Sequence, residues 1–204
     1  MPPGLIAERQ MPTKVIVQTK RRLLNDFFKI DEAEILFEGY DNRLHGPFRR
    51  LVFERGDAVA ALLFDKATAE IMLVEQFKYP TYEKGPGWIV ETMAGMIESG
   101  ETPEDALKRE AREEVGYETS DFEHIATFYP SAGGSSERIF LYYVEVSSAD
   151  KVEKGGGNPD EGEDIRLVRM PLEDFFTRLK AGAFVDGKII AAGFWLLCRK
   201  RSLT

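Results

Sequence analysis

The sequence predicts an α/β fold in which strands and helices share one chain of 204 residues. Residues 59–64 form a continuous apolar run, which is typical of a strand covered on both faces, and a polar stretch links them to residues 71–77 in a predicted hairpin. Residues 102–115 carry the start and stop signals of a helix, and two later segments repeat apolar positions at helical spacing. Strands and helices mixed along one chain in this way indicate an α/β fold.

Four short segments near the start of the chain are predicted as strands of a small separate sheet, with turn signals at Gly39 and at Asp41-Asn42. They cover residues 15–17, 27–30, 33–37 and 48–53. Residues 1–13 contain three prolines and little periodicity, so we expect a flexible tail there. The predicted organisation is therefore a tail at 1–13, an N-terminal strand lobe at 14–55 and a main domain at 56–204.

The main domain continues with further strands and two helices. Strands are predicted at residues 88–93, 125–129, 139–146 and 165–170, and helices at 171–179 and 189–197. Residues 147–164 are polar and include three consecutive glycines, which predicts a long loop of the kind that commonly carries function. Cys198 follows an apolar helical run, so we expect it to pack in the core rather than to act as a nucleophile.

The helix at residues 102–115 has the clearest boundaries in the chain. Thr102 is a favoured N-cap residue, and Pro103 occupies the first helical position, where its missing N–H costs nothing. Glu104 and Asp105 then place negative charge at the positive end of the helix dipole. Gly116 allows the backbone to leave the helix, so the helix is predicted to end before it.

The net charge of −8 comes from one segment of the chain. Residues 91–123 hold 11 acidic side chains and three basic ones, which accounts for the whole imbalance and leaves the remainder neutral. Two interpretations stay open, namely a solvated helix face or a cluster of carboxylates that binds a hard divalent cation. The acidic balance argues against nonspecific nucleic-acid binding, which requires a basic surface.

The chain lacks the sequence features that several classes of protein require. No apolar run reaches the ~18–20 residues that cross a bilayer, and the N-terminus lacks the pattern of a signal peptide. The single cysteine excludes an internal disulfide and fits a reducing cytoplasm, which is the predicted location. His45 and His124 are the only histidines, which leaves little material for a zinc site, and no glycine motif of the P-loop or dinucleotide-binding type occurs.

Three glutamates on the predicted helix are the best candidates for chemistry. Glu110 and Glu114 are four residues apart and therefore lie one turn above the other on the same helix face. Like charges at this spacing repel each other, and a divalent cation between them would convert that repulsion into ligation. Arg109 precedes Glu113 by four residues and is placed to pair with it. The spacing alone also fits an ordinary charged surface helix.

These glutamates belong to a longer pattern of fixed spacing. The pattern comprises Gly95, Glu101, Arg109, Glu110, Ala111, Glu113, Glu114, Gly116 and Tyr117. It resembles the Nudix box, a loop–helix–loop that binds divalent metal and a diphosphate. The resemblance implies the Nudix α/β/α sandwich with a mixed sheet, in addition to the small N-terminal β lobe. It also implies a site for Mg²⁺, or alternatively Mn²⁺, formed by the Ala94 carbonyl with Glu110, Glu114 and Glu113.

Four further segments are similar to the ADP-ribose pyrophosphatase subgroup of this family, namely residues 53–58, 74–78, 91–96 and 131–138. Residues 155–165 and 186–188 are about as similar to the GDP-mannose pyrophosphatases. In this subgroup the general base comes from a mobile loop outside the box. The resemblance therefore implies Glu161 as the base, with Glu163 assisting at the metal or the water, and Arg109 is grouped with them as catalytic.

The same resemblance implies which residues contact the substrate, namely Arg50, Lys78, Gly95, Met96 and Glu137. Lys78 stands where the family commonly has arginine, so it would supply a point charge rather than a bidentate contact. Both Arg50 and Lys78 are also compatible with an ordinary surface charge. Subgroup members are usually dimers in which the N-terminal strands of one subunit help to build the other's site, so we expect a homodimer with a swapped N-terminal lobe.

The predicted activity is Mg²⁺-dependent hydrolysis of a nucleoside diphosphate sugar, with ADP-ribose first and with AMP and ribose 5-phosphate as products. GDP-mannose or another nucleotide sugar is the alternative substrate. Ala132 replaces a proline typical of the ADP-ribose enzymes, so the reaction type is better determined than the substrate. A noncatalytic module that senses ADP-ribose is a different class of function, and the complete set of carboxylates favours an enzyme instead.

Overall fold

The structure is a computed structural model that describes residues 13–158, 160 and 162–202. It divides into two compact units. The first comprises Met1–Arg55 together with Ser131–Ser136, and the second comprises Gly56–Pro130 together with Glu137–Thr204. The expected tail at residues 1–13 lies outside the described residues, except for its last position.

The first unit is built on a three-stranded antiparallel sheet. Its strands are β1 (Val15–Asn25), β2 (Lys29–Glu38) and β3 (Leu44–Glu54), which lie side by side in chain order. Residues 131–136 join this unit through the backbone of β3: the N–H of Phe53 donates to the Gly134 carbonyl, and the N–H of Ser136 donates to the Phe53 carbonyl. A segment distant in sequence therefore completes the unit.

Ion pairs extend β1 well beyond the apolar residues 15–17 that predict a strand. Arg22 donates to both carboxylate oxygens of Asp31 at 2.7 and 3.1 Å, and Arg21 donates to Glu32 at 2.7 Å. The register places each arginine directly opposite its acidic partner on β2, and opposite charges in facing positions stabilise a sheet. Apolar alternation underestimates this strand because much of its pairing involves charged side chains.

The second unit contains a mixed seven-stranded sheet. Its strands are β4 (Ala58–Asp65), β5 (Glu70–Phe77), β6 (Trp88–Glu91), β7 (Met93–Met96), β8 (Phe122–Phe128), β9 (Ile139–Val146) and β10 (Arg166–Pro171). The main path of the sheet is β10-β5-β4-β9-β8, with β6 paired to β5 and β7 paired to β4. Strands β4 and β9 run parallel, and the other pairs are antiparallel.

Within the described residues, four α-helices accompany this sheet: α1 (Tyr79–Tyr82), α2 (Pro103–Glu110), α3 (Leu172–Lys180) and α4 (Gly187–Ser202). Helix α2 continues directly into a π-helical turn at Ala111–Val115, and a 3₁₀ turn spans Ser148–Asp150. Over the part of the chain that is described, no helix has both the length and the apolarity needed to cross a membrane.

Alternate residues of β4 face two separate cores. Leu63 packs in the core that includes Leu107 of α2, whereas Leu62 packs in the core that includes Phe175 of α3 and Ile189 of α4. This alternation follows from the period of two in a strand. Helices therefore cover both faces of the sheet, which confirms the predicted α/β/α sandwich, and the small N-terminal sheet is confirmed as well.

Three local predictions are wrong. The segments at 27–30 and 33–37, predicted as two strands, belong to the single strand β2, which begins at Lys29. The single strand expected at residues 88–93 is interrupted at Thr92, whose N–H donates to the Asp186 carboxylate at 3.3 Å, and the pairing changes there from β5 to β4. Cys198 does not pack in the core, because it lies on an exposed side of α4 while Ile189 and Leu196 fill the buried side. An apolar run shows that a helix packs, but it does not fix which end residues are covered.

Candidate active site

The helix that carries Glu110 and Glu114 has a firmly fixed start. The Thr102 hydroxyl accepts a hydrogen bond from the Asp105 N–H at 3.1 Å, and the Asp105 carboxylate accepts one from the Thr102 N–H at 3.3 Å. This reciprocal capping box satisfies backbone donors that a helix start leaves open. The predicted helix is α-helical only as far as Glu110, and the wider π turn then leads to Gly116, which takes a φ of +78°.

Gly95 provides the space in which the Glu110 carboxylate lies. A Cβ built on Gly95 would stand 1.8 Å from Glu110 Oε1 and 1.9 Å from the carboxyl carbon. Gly95 sits within β7, so the glycine is required by close approach of a side chain rather than by a turn. The buried position of Glu110 against this strand therefore depends on a residue without a side chain.

Glu114 is almost completely buried, and the described residues anchor one of its two oxygens. Its Oε2 accepts a hydrogen bond from the backbone N–H of Ala94 at 3.1 Å. Its Oε1 is buried and has no hydrogen-bond partner among the described residues. Burying a carboxylate oxygen without a hydrogen-bond partner costs free energy, unless a donor or a cation binds that oxygen.

The two buried carboxylates disfavour each other's charge. Burial raises the pKa of Glu114 well above its usual value, and repulsion from Glu110 adds to the effect. Burial also raises the pKa of Glu110, although its ion pair with Arg109 acts in the opposite direction. Glu163 contributes further repulsion to both groups, and Glu91 contributes to Glu114. The site therefore holds negative charge that its own side chains do not fully compensate.

The donor chemistry of this site fits a hard divalent cation. Two carboxylates repel each other, one buried oxygen lacks a hydrogen-bond partner among the described residues, and the backbone of Ala94 is held against Glu114. Across residues 13–158, 160 and 162–202, no three His, Cys, Asp or Glu side chains are arranged as a complete metal site. A backbone carbonyl, water and substrate oxygens would complete the coordination, as is usual for Mg²⁺.

Arg109 connects the helix to β7 and to the loop between them. Its guanidinium donates to Glu101 at 2.9 and 3.1 Å, to Glu110 at 2.7 Å and to the Met96 carbonyl at 2.8 Å. It also donates to Glu113 at 3.3 Å, which confirms the predicted pair. The ion pair lowers the pKa of Glu101. These contacts suit Arg109 for positioning carboxylates, and Glu113 is exposed at the edge of the pair rather than buried with it.

The three consecutive glycines of the long loop lie against the end of the π turn. The N–H groups of Gly156 and Gly157 donate to the carbonyls of Glu114 and Glu113 at 2.9 and 3.0 Å. A Cβ on Gly155 would lie 2.7 Å from the backbone of Val115. The glycines therefore allow the loop backbone to approach the helix end closely enough to satisfy its open carbonyls.

This loop brings Glu163 into the neighbourhood of the buried pair. The carboxylate of Glu163 accepts a hydrogen bond from the N–H of Asn158 at 3.0 Å, and its charge acts on both Glu110 and Glu114. Glu161, the residue favoured as general base, lies outside the described residues.

The residues expected to contact substrate fall in both units. Lys78, Gly95, Met96 and Glu137 belong to the second unit together with the glutamates of the box. Arg50 belongs to the first unit, where it is exposed on β3 and donates to the Arg49 carbonyl at 3.0 Å.

A buried ionic network at the end of β6 is absent from the sequence predictions. Glu91 Oε2 accepts a hydrogen bond from Lys188 Nζ at 3.1 Å, and the same ammonium donates to Asp186 at 2.8 Å. Burial opposes the charge of Lys188, but the two carboxylates together raise its pKa. In the sequence, Glu91 is one acid of a charged segment and part of the family-like residues 91–96. Its meeting with Lys188 could not be foreseen because 97 positions separate them.

The NUDIX domain model matches residues 54–192 of this chain. The chain therefore belongs to the NUDIX family and is a hydrolase that acts on pyrophosphate bonds.

Curated relatives include two kinds of pyrophosphatase. The ADP-ribose pyrophosphatase of Escherichia coli (strain K12) is 31% identical over 192 residues, which cover 93% of this chain and 90% of that protein. The GDP-mannose pyrophosphatase of Citrobacter koseri is 33% identical over 144 residues, which cover 70% of this chain and 74% of that protein. A crystal structure described as an ADP compounds hydrolase has the same fold, with a TM-score of 0.68 at 17% identity over 95% of this chain and all of that one.

Replacing Gly95 with alanine should weaken binding of Mn²⁺ by at least about tenfold, because the new Cβ would occupy the position of the Glu110 carboxylate. Calorimetric titration of the purified protein measures this affinity. Gly133→Ala is the matched control, since a Cβ at Gly133 meets nothing within 4 Å. An unchanged affinity in Gly95→Ala would show that Glu110 does not bind the ion from this position.

The raised pKa of Glu114 gives the metal-free protein a specific pH dependence. The carboxyl titrates near 4.5 when unfolded and at a higher pH when folded, so the folded state binds more protons between these values. The free energy of unfolding should therefore fall as the pH rises through that window. Glu114→Gln removes this effect and should raise the melting temperature at neutral pH.

Thermal unfolding in a chelator from about pH 5 to 8 tests this dependence. Glu118→Gln is the control, because Glu118 lies four positions further on and is exposed. A Glu114→Gln protein that melts below the wild type across the whole range would contradict the assignment.

Proposed function

We propose that this hydrolase cleaves the pyrophosphate bond of a nucleoside diphosphate sugar, with ADP-ribose as the first candidate and AMP and ribose 5-phosphate as products. The observation that carries the proposal is the buried pair Glu110 and Glu114 beside the backbone of Ala94. The 31% identity to an ADP-ribose pyrophosphatase over nearly the whole chain supports the substrate class. GDP-mannose is the second candidate, since GDP-mannose pyrophosphatases are equally similar over 70% of the chain.

The metal we propose is Mg²⁺, with Mn²⁺ as the alternative, held by the Ala94 carbonyl, Glu110 and Glu114, with Glu113 assisting. When bound, the ion neutralises diphosphate charge and lowers the pKa of a water molecule. The protein's own contribution is to keep two carboxylates buried and ionisable against β7. Arg109 does this by fixing Glu110 at 2.7 Å while it holds the Met96 carbonyl of the same strand.

Glu161 is the proposed general base, and Glu163 supports it. The water oxygen forms a bond to one phosphorus while the bridging P–O bond breaks, and the proton of the water passes to the carboxylate. The position of Glu163 near Glu110 and Glu114 supports a role for this loop at the reacting centre. The packing of Gly156 and Gly157 on the helix end supports it too, since it fixes one end of the loop beside the carboxylates.

Cations must offset the negative charge of both substrate and site, and we assign this role to Lys78 and Arg50. Gly95 and Met96 offer backbone atoms of β7, and Glu137 completes the proposed contacts. Lys78 suits the role because its side chain is 41% exposed and thus can reach a ligand. The exposed guanidinium of Arg50 is likewise accessible.

The assembly we propose is a homodimer with a swapped N-terminal lobe, located in the cytoplasm. Every residue of β1 is exposed, including Val15, Val17, Leu23 and Leu24. Apolar side chains concentrated on an exposed strand are typical of a surface that another chain covers. The single cysteine fits a reducing compartment.

Hydrolysis of a panel of nucleotide sugars with Mg²⁺ tests the substrate proposal. We expect ADP-ribose to have the highest kcat/KM and AMP to appear as a product by chromatography. A higher kcat/KM for GDP-mannose would favour the second candidate, and no hydrolysis of any nucleotide sugar would contradict the proposal.

Two variants serve as controls for the panel. Glu114→Gln should lower kcat by at least about 100-fold, because it removes a proposed ligand of the main electrostatic stabiliser. Glu118→Gln changes an exposed glutamate of the same acidic segment and should leave kcat within about twofold. Binding of ADP-ribose without turnover in the wild type would identify a sensing module instead.

Replacing Glu161 with glutamine should lower kcat by about 100-fold while the affinity for Mn²⁺ stays nearly unchanged, because a general base acts on the water rather than on the ion. Steady-state kinetics and calorimetry on the same preparation separate the two effects. Glu163→Gln should have the smaller effect on kcat. If Glu163→Gln is the more damaged variant, the base is Glu163.

A further inference from the structure

Two lysines share the buried carboxylate of Glu91. Its Oε2 accepts a hydrogen bond from Lys188 at 3.1 Å. Its Oε1 lies 3.7 Å from the ammonium of Lys78, which is beyond hydrogen-bond distance, and this buried oxygen has no hydrogen-bond partner among the described residues. One negative charge is thus divided between a close cation and a more distant one.

The two lysines differ greatly in their freedom to move. The side chain of Lys188 is 15% exposed and is fixed between Glu91 and Asp186 in the first turn of α4. Asp186 in turn accepts hydrogen bonds from the N–H groups of Thr92 and Ile189 at 3.3 and 3.2 Å. Lys78 follows the last residue of β5, and its side chain is 41% exposed. Lys188 is therefore a fixed charge, and Lys78 is a movable one.

We propose that Lys188 is a positioning residue for substrate binding. By occupying one oxygen of Glu91, Lys188 keeps Lys78 available to the diphosphate. The inference rests on the proposed function, in which Lys78 contacts the diphosphate. Because Lys188 compensates the Glu91 carboxylate, Glu91 attracts Lys78 into its vicinity without engaging it in a hydrogen bond. The ammonium of Lys78 can then turn to an incoming phosphate oxygen at little cost.

Without Lys188 the balance between the two lysines is lost. The full charge of a buried carboxylate would draw Lys78 into a charge-assisted hydrogen bond, which is stronger than a neutral one. A diphosphate would have to break that bond before it could use Lys78. The loss would affect substrate and transition state equally, so it should appear in KM and leave kcat nearly unchanged.

A purely structural role for Lys188 makes a different prediction. If Lys188 only ties α4 to the end of β6, its removal lowers stability and leaves the affinity for substrate unaltered. Arg169→Met provides the matched control for that outcome. It breaks another half-buried ion pair of the same unit, in which Arg169 donates to Asp65 at 2.9 Å.

The test is Lys188→Met in the full-length protein with its divalent metal. We expect KM for ADP-ribose, and Kd for its non-hydrolysable α,β-methylene analogue, to rise about tenfold while kcat stays within about threefold. Lys188→Arg keeps the charge and should restore both values to within about threefold of the wild type. Arg169→Met should lower the melting temperature without changing KM.

A double-mutant cycle with Glu91→Gln shows whether Lys188 acts through Glu91. With Glu91 neutral there is no charge to compensate, so adding Lys188→Met should change KM and Kd by less than about twofold. If Lys188→Met alone does not fold, Lys188→Gln takes its place in the cycle, because its amide removes the positive charge but keeps a hydrogen-bond donor for Glu91 and Asp186.

Two results overturn the inference and leave the proposed function intact, provided that the wild type is active. In one, Lys188→Met leaves KM unaltered. In the other, Lys188→Met raises KM equally in the wild-type and the Glu91→Gln proteins. A wild type that hydrolyses no nucleotide sugar contradicts the proposed function and the inference together.

Discussion

The constraint on which the site depends is the burial of two mutually repelling carboxylates, Glu110 and Glu114, against the backbone of β7. Burying such a pair costs free energy, and the surrounding fold is arranged to hold it in place. Gly95 leaves the space that the Glu110 carboxylate fills, and Arg109 links Glu110 to the loop and to the strand. The capping box at the helix start and the π turn at its end fix the helix that presents both side chains.

This arrangement explains where the acidic excess of the chain lies and what role it is proposed to have. The imbalance of −8 lies entirely in residues 91–123, and its buried members form the centre of the candidate site. Carboxylates kept partly uncompensated bind a divalent cation more readily than a neutral site would, because ligation relieves their repulsion. The repulsion that destabilises the metal-free protein is thus also the basis of its proposed affinity for metal, a common compromise at functional sites.

The long loop and the network at Glu91 add a second level of organisation around this centre. Glycines 155–157 let the loop backbone reach the carbonyls at the end of the π turn, which brings Glu163 towards the buried pair. At the start of α4, Lys188 donates hydrogen bonds to Asp186 and to Glu91, which lies at the end of β6. Elements distant in sequence therefore determine which charges around the candidate site are fixed by ion pairs.

The sequence by itself determined the α/β class, the capped start of α2, the end at Gly116 and the pairing of Arg109 with Glu113, because each depends on neighbours within a few positions. The spacing of the box also identified the family. Only the tertiary structure decided that Gly95 makes room for Glu110, that β1 is extended by ion pairs with β2, that the strand after Trp88 divides at Thr92, and that Glu91 meets Lys188. These features arise from contacts between residues 9 to 97 positions apart, and local periodicity carries no information about such contacts.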